Sequence, residues 1–214
     1  MRWTRLALVP LIVALPLCAQ EHDPDRTVEG GGTLAEGWMG RTDRGQNFDN
    51  VRFTETGGTL DISVGPALIL YRPEDTASGT YTVTGTFEQV SSKGHAHGIG
   101  LIIGGDDLQG PNQVYTYFLV RGDGSYLVKT RTGSETAYLT QWTQNPAIHT
   151  EDDTGHATNV MSIEVGATDT VFKLNGTEMH REKTADIYTD GVWGVRLNHN
   201  LDMRITALGL TPGM

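Results

Sequence analysis

Residues 94–131 read GHAHGIGLIIGGDDLQGPNQVYTYFLVRGDGSYLVKTR, and this stretch decides the fold class. Ile99, Leu101 and Ile103 alternate with Gly100, Ile102 and Gly104, and a polar loop from Asp106 to Asn112 follows. Residues 114–120, Val-Tyr-Thr-Tyr-Phe-Leu-Val, are too β-branched and aromatic for a helix of that length. Asp123-Gly124 supplies the two residues that a tight hairpin holds at positive φ, and residues 126–130 return as the next strand. The stretch predicts three antiparallel strands joined by two turns.

Working outward, further strands are expected at 51–55, 59–64, 67–71 and 80–90 on the N-terminal side. On the C-terminal side they are expected at 137–142, 159–165, 171–174, 177–181, 192–197 and 203–210. In 80–90, Tyr81, Val83 and Phe87 share one face and Thr82, Thr84 and Thr86 the other, so one face is core. Hairpin dipeptides at Gly57-Gly58, Asp123-Gly124 and Asn175-Gly176, among 27 glycines, point to an all-β, two-sheet antiparallel sandwich. No amphipathic helix competes, and there is no repeat of the fixed period that propellers or solenoids require.

The ends read differently. Arg2 and Arg5 precede an apolar run at 6–17, then Cys18-Ala19-Gln20, which is the pattern of an export signal over 1–19. That run is shorter than the ~20 residues a spanning helix needs. Cys18, the single cysteine, leaves two readings open: a lipid anchor at Cys18, or ordinary cleavage near Ala19. A cystine-free exported domain fits a bacterial source and a secreted or periplasmic address. Residues 20–36, acidic and glycine-rich, read as a flexible linker with almost nothing to bury, leaving 37–214 as the domain.

The chain carries 16 Lys+Arg against 26 Asp+Glu, a net charge of −10. Without Arg2 and Arg5 the balance is 14 against 26, or −12. This disfavours nucleic acid and anionic membrane surfaces as partners and is compatible with neutral glycans or hard cations.

The segments GPALILYRPEDTASGTYTVTGTFEQV, HGIGLIIGGDD, VYTYFLVRGDGSYLVKTR, VFKLNGTEM and DGVWGVRLNHNLDMRITALGL, in that order, resemble the concanavalin A-like lectin/glucanase superfamily. They resemble especially the secreted bacterial sandwich domains allied to the 3-keto-disaccharide hydrolases. The resemblance covers roughly 37–210 through strand order and hairpins, and it implies a jelly roll with one concave face that in relatives often holds sugar. It does not choose between lectin, hydrolase and structural module.

Site residues have to choose. Retaining glucanases of this superfamily carry Glu-x-Asp-x-Glu on one strand, because nucleophile and acid sit ~5 Å apart. The nearest match, Glu21-His22-Asp23-Pro24-Asp25, lies in the tail and ends in Asp, and Glu151-Asp152-Asp153 lies in a loop. Alternation in 191–200 puts Trp193, Val195 and Leu197 on one face and Arg196 and Asn198 on the other, where planar donors suit sugar hydroxyls. Trp142 or Tyr117 offers a stacking ring and His97 a polar ring.

Two metal sites are conceivable. His95-x-His97 with Asp106 and Asp107 across a turn suits zinc. The 104–112 loop, with carboxylates and amides, suits calcium, although turn chemistry alone explains its composition. Arg121-Gly122-Asp123 and Asn175-Gly176-Thr177 are read as hairpin crowns rather than adhesion or glycosylation signals. The leading expectation is an exported, non-catalytic carbohydrate-binding module. A glycoside hydrolase and a structural cell-envelope protein are the alternatives, and no catalytic pair is named.

Overall fold

The structure, a computed structural model, describes residues 24–92 and 96–213. His95 and Cys18, and the export signal expected at 1–19, lie outside these residues. Fourteen strands follow in order: Met39–Thr42 (β1), Val51–Thr56 (β2), Thr59–Val64 (β3), Leu68–Ala77 (β4), Tyr81–Ser92 (β5), Ile99–Asp106 (β6) and Val114–Val120 (β7) come first. Ser125–Thr132 (β8), Glu135–Gln144 (β9), Ala157–Val165 (β10), Asp169–Leu174 (β11), Thr177–Lys183 (β12), Gly191–Leu197 (β13) and Leu201–Pro212 (β14) complete the set. No described helix is long and apolar enough to cross a membrane.

Two seven-stranded antiparallel sheets form a jelly-roll sandwich. One has the order β1-β4-β13-β6-β7-β8-β9 and the other β12-β11-β10-β5-β14-β3-β2. The expected strands are all present, and β1 is added to them. Its sequence, Met-Gly-Arg-Thr, has no periodicity of its own, and it forms by pairing with β4.

Turn chemistry sets the hairpins. Gly57 and Gly58 (φ 58 and 78) and Asn175 and Gly176 (φ 48 and 81) both hold the left-handed pair that a two-residue hairpin needs. The β7–β8 turn departs from expectation: Gly124 alone is left-handed (φ 87), and Asp123 keeps a negative φ. Gly124 N donates to Arg121 O at 3.1 Å and Arg121 N to Ser125 O at 2.8 Å. This is the longer hairpin with a terminal glycine. Asp123 serves it by accepting from the amide and hydroxyl of Ser125.

The core lies between the sheets. Leu101, Ile103, Phe118, Val120, Val128, Val195 and Leu197 meet Val83, Phe87, Met161, Ile163, Phe172 and Ile205, with Phe118 edge-on to Phe172 at 5.7 Å. The outer faces of the two sheets differ. In β10, alternate residues are exposed, as on a solvated sheet. In β7, nearly every residue is buried on both faces. A second apolar cluster (Ile69, Tyr71, Ile102, Leu108, Tyr115, Tyr117, Leu119, Leu127) lies on the outer face of the first sheet.

From residue 24 on, the stretch read as a linker lies against the sandwich. Val28 is buried and Leu34 and Ala35 touch the core. Arg26 bonds Asp202, Val64 O and Leu201 O. Composition gave no sign of this, because scattered residues, Arg26, Val28, Leu34 and Ala35, rather than an apolar run, fasten the segment.

Candidate functional site

The outer face of the first sheet is built by strand parity. Arg196 stands beside Ile69 of β4, and Ile69 beside Arg41 of β1. One step along, Tyr71, Gly194, Ile102, Tyr117, Lys129 and Tyr138 form a cross-strand row through β4, β13, β6, β7, β8 and β9. Tyr115 pairs with Arg131 in the next row. At the other end, a Cβ on Gly98 would lie 3.1 Å from Asn198 Nδ2, from Leu119 Cδ1 and from the Trp142 ring. Asn198 and Trp142 therefore converge over a glycine that keeps the space open.

Four of the five expected ligand residues, Arg196, Asn198, Trp142 and Tyr117, share this face. His97 does not: it is buried at the end of the sheet, edge-on to His199 with ring centroids 4.4 Å apart. His199 faces Asp25 at 3.4 Å. Next to Arg196 and Asn198 opens a cleft of about 360 Å³, also lined by Asp25, Asp43, Arg44 and His199.

Arg196 is not a solvated donor. Its side chain is 10% exposed and grips both oxygens of Asp43, at 3.1 and 2.8 Å, and Tyr115 Oη at 3.3 Å. Burial opposes its charge, but Tyr115 and Asp43 more than offset this and hold the guanidinium protonated. Burial works to raise the Asp43 carboxyl, yet Arg196, Arg131 and Arg41 hold it below its ordinary value. Burial pushes the Tyr117 hydroxyl up to about 12, so it remains a proton donor at neutral pH.

Two further cations meet aromatic rings. The Arg121 guanidinium stacks 3.5 Å from the Trp142 centroid. Lys129 Nζ is 4.1 Å from the Tyr138 centroid and 6.0 Å from that of Tyr117. Burial, then Arg196 and Arg131, lowers the Lys129 ammonium from its ordinary value.

The zinc grouping fails on geometry. β6 runs without a turn from Ile99 to Asp106, eight residues at about 3.3 Å each. His97 and the Asp106-Asp107 pair lie at its opposite ends, and His95 is outside the described residues. In the candidate calcium loop, the Asp107 carboxylate accepts from Asn112 N at 3.0 Å and the Asp106 carboxylate from Asp107 N at 2.9 Å, as turn residues do. Among the described residues no group of three or more His, Cys, Asp or Glu could hold a metal ion.

A second cleft, of about 430 Å³, was not foreseen. Trp38, Trp193, Glu55, Arg72, Glu74 and Asp75 line it. Trp38 Nε1 donates to Glu55 at 2.8 Å, Arg72 donates to both Glu55 oxygens at 2.7 and 2.6 Å, and Arg72 lies over the Trp38 ring at 5.1 Å. These residues come from separate segments, and no local motif joins them.

No protein-family model matches the chain, and no curated protein matches it significantly. Solved structures do match. The carbohydrate-binding module CBM66 from Bacillus subtilis superposes with a TM-score of 0.58 at 9% identity, over 84% of this chain and 98% of that one. The chain has the concanavalin A-like sandwich fold. A Bacillus subtilis protein of unknown function with a galectin-like fold matches this sandwich at 0.61 and 12% identity, over 82% and 89% of the two chains. The endo-β-1,3-glucanase from Pyrococcus furiosus matches it at 0.54 and 13%, over 86% and 92%. At these identities the likeness is one of fold.

Proposed function

We propose that the protein is an exported carbohydrate-binding module that holds sugar on the outer face of the β1-to-β9 sheet. The observation that carries this reading is the convergence of Asn198 and Trp142 over Gly98, on the face that also presents Arg196 and Tyr117. An amide donor beside an indole is what a sugar ring requires: hydrogen bonds for its hydroxyls and an apolar surface for its C–H groups. A non-catalytic role is supported by Asp43, the carboxylate that Arg196 meets on this face. Both of its oxygens are bound by that guanidinium, whereas glycoside cleavage needs two available carboxylates. Export rests on the 1–19 pattern, and the periplasm or the medium is the proposed address.

Native gels cast with a panel of polysaccharides, together with a reducing-end assay, test this. Retention without released ends is expected. Trp142→Ala should weaken retention by roughly tenfold, as loss of an aromatic anchor does.

The Trp38–Trp193 cleft favours a second reading, a glycoside hydrolase. Asp75 is raised by burial and by Glu74 and Glu55, against the pull of Arg72, while Glu55 is lowered mainly by its hydrogen bond from Trp38. A carboxyl raised toward neutrality suits a general acid, while Glu55, bound through both oxygens as Asp43 is, is not available as its base. Release of reducing ends that stops in Asp75→Asn would promote this reading over the first.

A further inference from the structure

Charge on the sugar-binding face runs against the charge of the chain. The protein carries 26 acidic and 16 basic residues, yet this one face collects Arg41, Arg121, Lys129, Arg131 and Arg196. Among the described residues, Asp43 is the one carboxylate that forms an ion pair with any of the five. Arg41 and Arg131 bond to backbone carbonyls, of Gly110 and Gly133, and share with Arg196 the single carboxylate of Asp43. Arg121 and Lys129 rest on rings, and Arg121 Nε has no hydrogen-bond partner.

A chain with surplus carboxylates easily neutralises a surface cation. Here Arg121 and Lys129 are held instead by π faces; Arg121 Nε is itself buried, so the terminal nitrogens of Arg121 and the Lys129 ammonium are the donors that would meet an incoming acceptor. From β1 to β8 the sheet order gives five inter-strand spacings, roughly 24 Å at ~4.8 Å each. The cations are therefore spread along a track, longer than one sugar ring.

We infer that this face takes an acidic polysaccharide, whose carboxylate or sulfate groups are met by Arg121, Lys129 and Arg131 while its rings lie toward Trp142 and Asn198. The inference rests on the sugar-binding reading and names its ligand class. The Asn198 amide beside Trp142 gives sugar hydroxyls a partner, which favours a sugar over single-stranded nucleic acid.

The test is native affinity electrophoresis in gels containing polygalacturonate, its full methyl ester, dextran sulfate, unmodified dextran or an oligothymidylate. The negative charge of the protein opposes simple ion exchange, so retention reports the local face. Retention by polygalacturonate or dextran sulfate, but not by the methyl ester or dextran, is expected; which of the two acts identifies carboxylate or sulfate as the recognised group. It should weaken as salt rises. Lys129→Met and Arg121→Gln should each reduce retention by roughly tenfold, with melting temperature confirming that both variants are folded. Equal retention by the neutral and charged forms would overturn the inference and leave the sugar-binding reading standing. Retention by none of the polysaccharides would overturn both, and retention by the oligothymidylate alone would replace sugar with nucleic acid.

Discussion

The Trp38 cleft and the Trp142 face use the same local device, a guanidinium over an indole, with opposite outcomes. In the cleft, Glu55 takes the Trp38 N–H and both bonds from Arg72, so indole, cation and carboxylate close on one another. On the face, Arg121 covers Trp142 with no carboxylate closing the set. The difference is that in the cleft an internal acceptor consumes the hydrogen-bonding capacity of the pair, whereas on the face no described carboxylate does.

The largest expected effect breaks the closed set. Glu55→Ala strands Arg72 and the Trp38 N–H, and should cost about 2–3 kcal/mol. For a domain of this size that is a fall of roughly 4–10 °C in melting temperature. A smaller change would mean that the cleft is as open as the face.

Arg26 and Asp202 form a second closed set at 2.9 Å. Burial works to raise Asp202, but hydrogen bonds from Arg26, Ser91 and Ser63 hold it well below the carboxylate range. A depressed carboxyl contributes stability above its unfolded value, ~3.9, and that contribution fades as pH falls toward the folded value. Asp202→Asn should therefore be less stable at pH 7 by about 1–2 kcal/mol and lose less on acidification, as read from urea midpoints between pH 6 and pH 2.

Gly98→Ala tests the open end of the face. Its methyl group meets Asn198, Leu119 and Trp142 at 3.1 Å, and should cost about 1 kcal/mol while displacing the ring and weakening sugar retention. Smallest of all is Lys129→Met. Removing a cation crowded by Arg196 and Arg131 should leave stability within about 0.5 kcal/mol of the parent, or raise it. A large loss would show that Lys129 belongs to a closed set after all.

Strands with strict alternation were legible in the sequence, since Tyr81, Val83 and Phe87 announce their face directly. So was the separation of Arg196 from Trp193 and Val195. Alternation at Leu127, Lys129 and Arg131 carried the same signal for the cationic track, but only pairing through β6 and β7 shows that these residues share the face of Arg196. The partner of Arg196 was not legible, because Asp43 is 153 positions away and reaches it through the turn after β1, a strand without periodicity of its own. The Trp38 cleft was hidden for the same reason: it draws on β2, β4, β13 and β14, which meet only in the folded sandwich. His97 and Asp106 misled because they were grouped across a turn, whereas a full strand sets them at opposite ends.

The most direct test of sugar binding on the β1-to-β9 face uses the indole N–H signals of ¹⁵N-labelled protein, with Trp38, Trp142 and Trp193 assigned by substitution, during titration with the oligosaccharide that the gels select. The account predicts that the Trp142 signal moves while those of Trp38 and Trp193 stay in place. Movement of Trp38 and Trp193 with Trp142 unchanged would contradict it and place the ligand in the cleft.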